Sequence, residues 1–305
     1  MSSPLSFGWP IRRRYRHRTW DPGRGPRWQW GARTFVMGIV NATDDSFSGD
    51  GVADRPDDAR ALARALVADG VDIIDVGGAS SRPGAAPTPV AVERQRAVRV
   101  IEAVRDELDR LDADVPISVD TTWAAVAAPA LDTGATVVND ITGLRLDPQL
   151  APLVAQRRAA AVVMHNQRGR PHTDLVADVT AGLETSLQIC ADAGISTDRI
   201  VVDPGFGFGF GVAQNLEMMR RLPELWSLEL PMLIGTSRKS TIGAVTHAPV
   251  DDRLLGTAAT IAAAICAGID IVRVHDAYHM TQAIRMTDAI VRAGRSQLGE
   301  AGEFG

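Results

Sequence analysis

Pro231-Met232-Leu233-Ile234-Gly235-Thr236-Ser237-Arg238-Lys239-Ser240 reads as an apolar strand that ends in a glycine. Hydroxyls, a guanidinium and an ammonium follow at once, and a helix then begins. That order places fixed donors beside a helix N-terminus, where an anionic or electron-rich ligand can meet them. A single turn of this kind decides little, since two cations in a turn can equally be a solvated surface. The same grammar recurs along the chain, and the recurrence decides the fold.

Short apolar strands are expected at 34–40, 72–76, 116–119, 135–138, 160–164, 199–202, 231–234 and 270–274. Helical patterns lie between them, at 56–69, 89–111, 122–131, from 147, 175–193, 214–221, through 267, and 278–291. Continuously apolar strands alternating with helices imply a parallel sheet covered on both faces. Eight such units in roughly 260 residues predict a (β/α)8 TIM barrel. A doubly wound open sheet is the alternative, but it gathers its ligand residues at one switch point. Here polar residues follow nearly every strand: Asn41, Asp75, Asp120, Asn139-Asp140, His165, Asp203, Ser237-Arg238-Lys239, and Arg273 with His275. In a barrel all of them would converge on one mouth.

Residues 1–33 are expected to form an N-terminal extension, 34–295 the barrel, and 296–305 a disordered tail. The extension holds a basic run at 12–18 with Trp9, Trp20, Trp28 and Trp30 around it. A nucleic-acid or membrane-surface arm is one reading. Packing on the domain is preferred, because exposing four tryptophans in a solvated tail is unfavourable. A short hairpin over 28–33, turning at Gly31, is expected to lead into the first strand.

The 305 residues carry a formal net charge of −5. Mild acidity argues against nucleic acid as a partner, and no apolar run suits a membrane span. Cys190 and Cys266 lie in apolar helical runs and read as buried free thiols in a reducing cytoplasm. No close His/Cys cluster suggests a zinc site, and no nucleophile elbow is present. The run Gly205-Phe206-Gly207-Phe208-Gly209-Phe210-Gly211 is not a dinucleotide loop and reads as a wall beside a flat ligand. Carboxylates and amides suit the donor–acceptor edge of a heterocycle. Asn41, Arg273 and His275 suit a phosphate group with a hard cation such as Mg²⁺. The substrate type reached from the residues is a flat heterocycle with a phosphate leaving group.

Eight motifs in order at strand ends resemble the dihydropteroate synthase family of pterin-binding barrels. They are MGIVNATDDSFS (37–48), DVGGASSRPGA (75–85), ISVDT (117–121), VNDI (138–141), VMH (163–165), DPGFGFG (203–209), GTSRKS (235–240) and RVHD (273–276). The resemblance implies condensation of 6-hydroxymethyl-7,8-dihydropterin pyrophosphate with p-aminobenzoate, Mg²⁺ as cofactor, a cytoplasmic location and a homodimer. It implies that Asp120, Asn139, Asp203 and Lys239 hold the pterin. Asn41, Arg273 and His275 would hold pyrophosphate, with Asn41 on the metal. Ser81, Arg82, Phe208 and Ser240 would frame p-aminobenzoate. Four positions depart from the family pattern: Ala79 where Glu is usual, Asp44 for Pro, Asp50 displaced by one place, and Phe210 for Lys. The last would remove a cation beside p-aminobenzoate and reshape the end of the pocket that sulfonamides occupy. A non-catalytic pterin-binding homologue and a methyl-transfer barrel are the alternative readings.

Overall fold

A computed structural model describes residues 15–43, 55–80, 86–170 and 173–292. Eight parallel strands form the barrel wall: β3 (Phe35–Asn41), β4 (Ile73–Gly77), β5 (Ile117–Asp120), β6 (Val137–Asp140), β7 (Ala160–Met164), β8 (Ile200–Asp203), β9 (Leu233–Ile234) and β10 (Ile271–Val274). They pair in the order β8-β7-β6-β5-β4-β3-β10-β9. A parallel bridge from Val202 to Met232 closes the ring, with the Val202 amide donating to the Pro231 carbonyl at 3.0 Å. The open-sheet alternative is thereby excluded.

Helices α1 (Pro56–Ala68), α2 (Val90–Arg110), α3 (Ala124–Thr133), α4 (Leu150–Arg157), α5 (Leu175–Ala193), α6 (Val212–Arg221), α7 (Ser240–Thr246), α8 (Leu254–Cys266) and α9 (Ala277–Val291) cover the outside. Their stop signals are local. Gly194 ends α5 in the left-handed region at φ 81°, where a side chain would be strained. Asp174 opens the same helix by accepting from the Ala177 amide.

Period-two alternation sorts each strand into two sets. Val36, Ile74, Val76, Ile117, Val119, Val138, Ala161, Val163, Val202, Val272 and Val274 point outward and pack beneath the helices. Phe35, Met37, Ile73, Val137, Ala160, Val162, Val201, Leu233 and Ile271 point inward and fill the barrel interior. The interior is therefore a packed core, and a ligand can enter only above it.

The extension seals the other end. Strand β1 (Thr19–Trp20) pairs antiparallel with β2 (Trp28–Gln29), so Thr19 faces Gln29 and Trp20 faces Trp28. The hairpin thus turns through residues 21–27. The turn expected at Gly31 instead leads the chain from β2 towards β3. Trp20, Trp28 and Trp30 are buried in one cluster with the inward residues of the barrel. Trp28 stacks on Phe35 with centroids 4.1 Å apart and planes 3° from parallel. Packing of these tryptophans is what the extension does here. Trp9 and the basic residues 12–14 lie outside the described residues, as do 293–305, which include the expected tail.

Cys190 is buried as expected, while Cys266 is only half-buried. Among the described residues, no helix is long and apolar enough to cross a membrane.

Candidate active site at the barrel mouth

The same alternation that fills the interior decides which polar residues reach the mouth. Asp75 follows Ile73 by two places, Asn139 follows Val137, Asp203 follows Val201, and Arg273 follows Ile271, so all four inherit the inward direction. Strand register then sets them side by side. Asp75 pairs with Ser118, Asp120 with Asn139, and Met164 with Asp203. Asn41, at the end of β3, pairs with Gly77 and is half-buried.

Arg273 spans the throat. Its Nε donates to Asp75 Oδ2 at 2.6 Å, and one terminal nitrogen donates to Asp120 Oδ2 at 2.9 Å. Asn139 also donates to Asp75 Oδ2, at 3.1 Å. Burial works against the guanidinium charge, but Asp75 and Asp120 outweigh it and hold the pKa above its ordinary value. Burial pushes Asp120 up to about 7, against the pull of Arg273, and the neighbouring carboxylates add to the rise. Burial also raises Asp203 to about 6, although Gly205 donates its amide to Oδ1 at 2.7 Å and Lys239 is near. The Lys239 amine falls to about 7, chiefly through burial, with Asp203 opposing and Arg273 and Arg168 assisting. Lys239 donates to the Phe206 carbonyl and lies 4.4 Å from the centre of the Phe208 ring. The buried second oxygen of Asp75 and the Ser118 hydroxyl have no protein partner among the described residues. A throat with perturbed acids, a perturbed amine and orphaned acceptors is primed for a ligand with its own donors.

His275 stands beside this cluster at the end of β10. Its Nδ1 lies 3.0 Å from the Ser237 hydroxyl, and its amide donates to the same hydroxyl at 3.3 Å. Ser240 is the exposed first residue of α7. Ser81 and Arg82 lie outside the described residues, as do Asp44 and Asp50.

Three polar residues counted towards the mouth turn away from it. Asp140 follows inward Asn139 by one place, so it points outward and caps its own loop, accepting from the Thr142 and Leu144 amides at 2.7 Å each. His165 follows inward Met164 and is buried against Gly182 of α5, its Nε2 lying 2.8 Å from Gln167 Oε1. Burial lowers its pKa to about 4. Arg238, in the left-handed region at φ 56°, pairs through Nε with Asp276 Oδ2 at 2.9 Å, tying the loop after β9 to the loop after β10.

The Gly-Phe run is a wall of one ring rather than three. Phe206 and Phe210 are both buried in the core under the helices. Phe210 packs on the His165 ring with centroids 5.9 Å apart. Half-buried Phe208 is the ring at the rim, 4.4 Å from the Lys239 amine, while buried Phe206 lies 5.8 Å from the same amine. The glycines permit this by close approach. A Cβ on Gly205 would lie 1.9 Å from the His165 carbonyl oxygen, and one on Gly209 would lie 2.4 Å from the Arg168 amide nitrogen. The expectation that Phe210 shapes the p-aminobenzoate end of the pocket fails, because its ring belongs to the core.

Residues 37–275 match the model of a pterin binding enzyme family. The chain belongs to the dihydropteroate synthase family of pterin-binding enzymes. A dihydropteroate synthase of a Synechocystis strain is 41% identical over 86% of this chain and 92% of its own length. A dihydropteroate synthase of Clostridium difficile, solved in the presence of pteroic acid, superposes with a TM-score of 0.81 at 43% identity, covering 87% of this chain and all (100%) of that one. One from Xanthomonas albilineans, solved with 4-aminobenzoic acid, gives 0.82 at 35% identity over 91% of this chain and 99% of that one.

Sequence reasoning counted Asp75 and Ser237 towards the mouth but gave neither a role, and it did not single out Arg168, which lies over the Phe208 ring. The inward parity of Ile73 and Asp75 was a usable signal for the first. Ser237 lies in the turn beyond β9, where strand alternation no longer assigns a direction. Arg168 carried no signal, for it lies in an irregular loop.

Proposed function

We propose that this protein condenses 6-hydroxymethyl-7,8-dihydropterin pyrophosphate with p-aminobenzoate, giving 7,8-dihydropteroate and pyrophosphate. The observation that carries this reading is the convergence of Asp75, Asp120, Asn139, Asp203, Lys239 and Arg273 on one buried throat above a closed apolar core. Its family membership supplies the substrate names.

Asp120, Asn139, Asp203 and Lys239 hold the pterin by its donor–acceptor edge. Pterin N–H groups would relieve the buried carboxylates that now lean on Arg273. In the reaction the bond from the exocyclic methylene to the bridging oxygen breaks, and its electron pair leaves with pyrophosphate. The ring delocalises the cation that remains, and the anionic carboxylates below it favour that charge. The arylamine nitrogen then forms the new bond to carbon and gives up a proton. Holding amine and carbon in line supplies much of the remaining acceleration.

Arg273 and His275 clamp the departing phosphate oxygens. Among the described residues, no cluster of three His, Cys, Asp or Glu could hold a metal by itself. Asn41 offers one hard oxygen at the mouth, which suits Mg²⁺ shared with substrate phosphates and water. When bound, that ion would neutralise charge on the leaving group.

A second copy of the chain is the macromolecular partner. Leu255 of α8 and Tyr278, Met286 and Ile290 of α9 are large apolar side chains left exposed on neighbouring helices, and a homodimer would cover them. Free thiols at Cys190 and Cys266 fit a cytoplasmic setting.

The test is incubation with both substrates and Mg²⁺, following pyrophosphate release with and without p-aminobenzoate. Release that requires the arylamine and yields dihydropteroate is expected. Pterin binding without any release would make the protein a non-catalytic homologue.

A further inference from the structure

We propose that Arg168, in the loop between β7 and α5, receives the carboxylate of the arylamine substrate and makes the enzyme selective for an acidic acceptor. This rests on the condensation proposed above.

The guanidinium of Arg168 lies 4.6 Å from the centre of the Phe208 ring. Lys239 stands 4.4 Å from the same centre. Two cations thus share one half-buried aromatic ring at the rim. Their functions divide by depth. Lys239 is held towards the throat by the Phe206 carbonyl and neighbours Asp203. Arg168 is an exposed residue at the lip.

The position is built by the backbone. The Gln167 amide donates to the Phe208 carbonyl at 3.0 Å, and Phe208 turns back to donate to Gly205 at 2.9 Å. The Arg168 amide is held by Asn166 Oδ1 at 3.1 Å. Gly209 presses so closely on Arg168 that no Cβ fits between them. The loops after β7 and β8 are therefore tied to each other, and they hold the guanidinium and the ring together.

Topology says which anion this arginine serves. In the closed ring β3 and β7 stand four strands apart in either direction, so Arg168 lies across the mouth from Asn41. The leaving group, placed between Asn41, Arg273 and His275, is on the far side. The remaining anion is the acceptor's carboxylate. The reacting amine must reach down to the methylene carbon, and the rigid para geometry then sends the carboxylate outward to the rim. An aryl ring passing Phe208 in that direction brings its acid group to a guanidinium fork, which matches a carboxylate in two parallel hydrogen bonds. Phe210, buried in the core, supplies no charge at this side.

The experiment compares p-aminobenzoate with uncharged p-aminobenzamide, which keeps the ring and the nucleophile. For Arg168→Gln, KM for the acid should rise about fivefold, as for a partly exposed charge pair. Turnover should change less than twofold, and kcat/KM for the amide should stay as in the wild type. Arg168→Lys should recover part of the affinity for the acid. An equal loss with both acceptors would make Arg168 a packing residue of the Phe208 wall and overturn the assignment. An unchanged KM for the acid would overturn it as well. A folded wild-type protein that condenses neither acceptor would sink the reaction, and the assignment with it.

Discussion

The two ends of the barrel are made by the same strands and follow opposite rules. At the bottom, Trp20, Trp28 and Trp30 close over Phe35, Met37 and Ile73, and nearly everything they present is apolar. At the mouth, further along the strands, Asp75, Asp120, Asp203 and Arg273 are crowded together with Lys239 of the loop after β9, in partial or full burial. One end stabilises the fold by removing apolar area from water. The other concentrates charge where water is scarce, and the acids and the amine answer with shifted pKa values. The difference teaches that stability and chemistry are separated along the barrel axis, so variants at the two ends should fail in different ways.

The largest expected effect is at the bottom. Trp20 is 1% exposed and meets Trp28 edge-on with ring centroids 4.8 Å apart. Trp20→Ala should lower unfolding free energy by about 3–5 kcal/mol, as large aromatic truncations in cores do. The folded fraction should keep its kcat/KM. Denaturant melts alongside steady-state rates check this, and a stable but inactive variant would break the separation. Removing residues 1–24 takes β1 and Trp20 away together and should destabilise in the same manner.

Next comes the mouth. Arg273→Ala should reduce turnover at least about a hundredfold, close to 3 kcal/mol of barrier. Pyrophosphate release measures it. Near-normal turnover would remove this arginine from the phosphate site and leave it as the counter-ion of Asp75 and Asp120.

The smallest effect on stability is expected at Asp203. Asp203→Asn should weaken pterin binding about tenfold or more, while stability at pH 4, where the folded carboxyl is protonated, stays within about 1 kcal/mol. A variant that unfolds would assign Asp203 to the scaffold. The pH dependence sharpens the point. Burial raises this carboxyl from 3.8 to about 6. Between those values the folded protein keeps a proton that the unfolded chain has lost, so this group's contribution to stability falls as pH rises through that window. Lys239, lowered from 10.5 to about 7, acts in the other direction: its contribution rises with pH between 7 and 10.5. Denaturant titrations of the ligand-free wild type and Asp203→Asn should differ in slope between pH 4 and pH 6. Identical slopes would show that Asp203 ionises as it does in the unfolded chain.

The barrel, its strand order along the chain and most of the throat were legible in the sequence. Apolar runs and helical periods are local patterns, and a period of two assigns a direction to each side chain once a strand is placed. That rule was available for Asp140 and His165, which sit one place beyond inward Asn139 and Met164 and so face the helices. It also marked Asp75 as inward.

The rest was decided by tertiary structure. Whether Trp20 solvates or seals depends on a hairpin to Trp28 and on a barrel end waiting to be filled, and neither is encoded in the basic run beside it. Arg273 rests on Asp75 and Asp120, residues 198 and 153 positions away, because ring closure sets β10 near β4 and β5. Arg238 and Lys239 are adjacent cations of similar composition, yet one is bound to Asp276 and the other to the throat. Phe208 and Phe210 differ in the same way, one at the rim and one in the core. Local sequence specifies which groups are present and on which face of a strand they stand. What each irregular loop residue touches is set by close approach between loops distant in sequence, where a missing Cβ at Gly209 brings Arg168 within reach of Phe208.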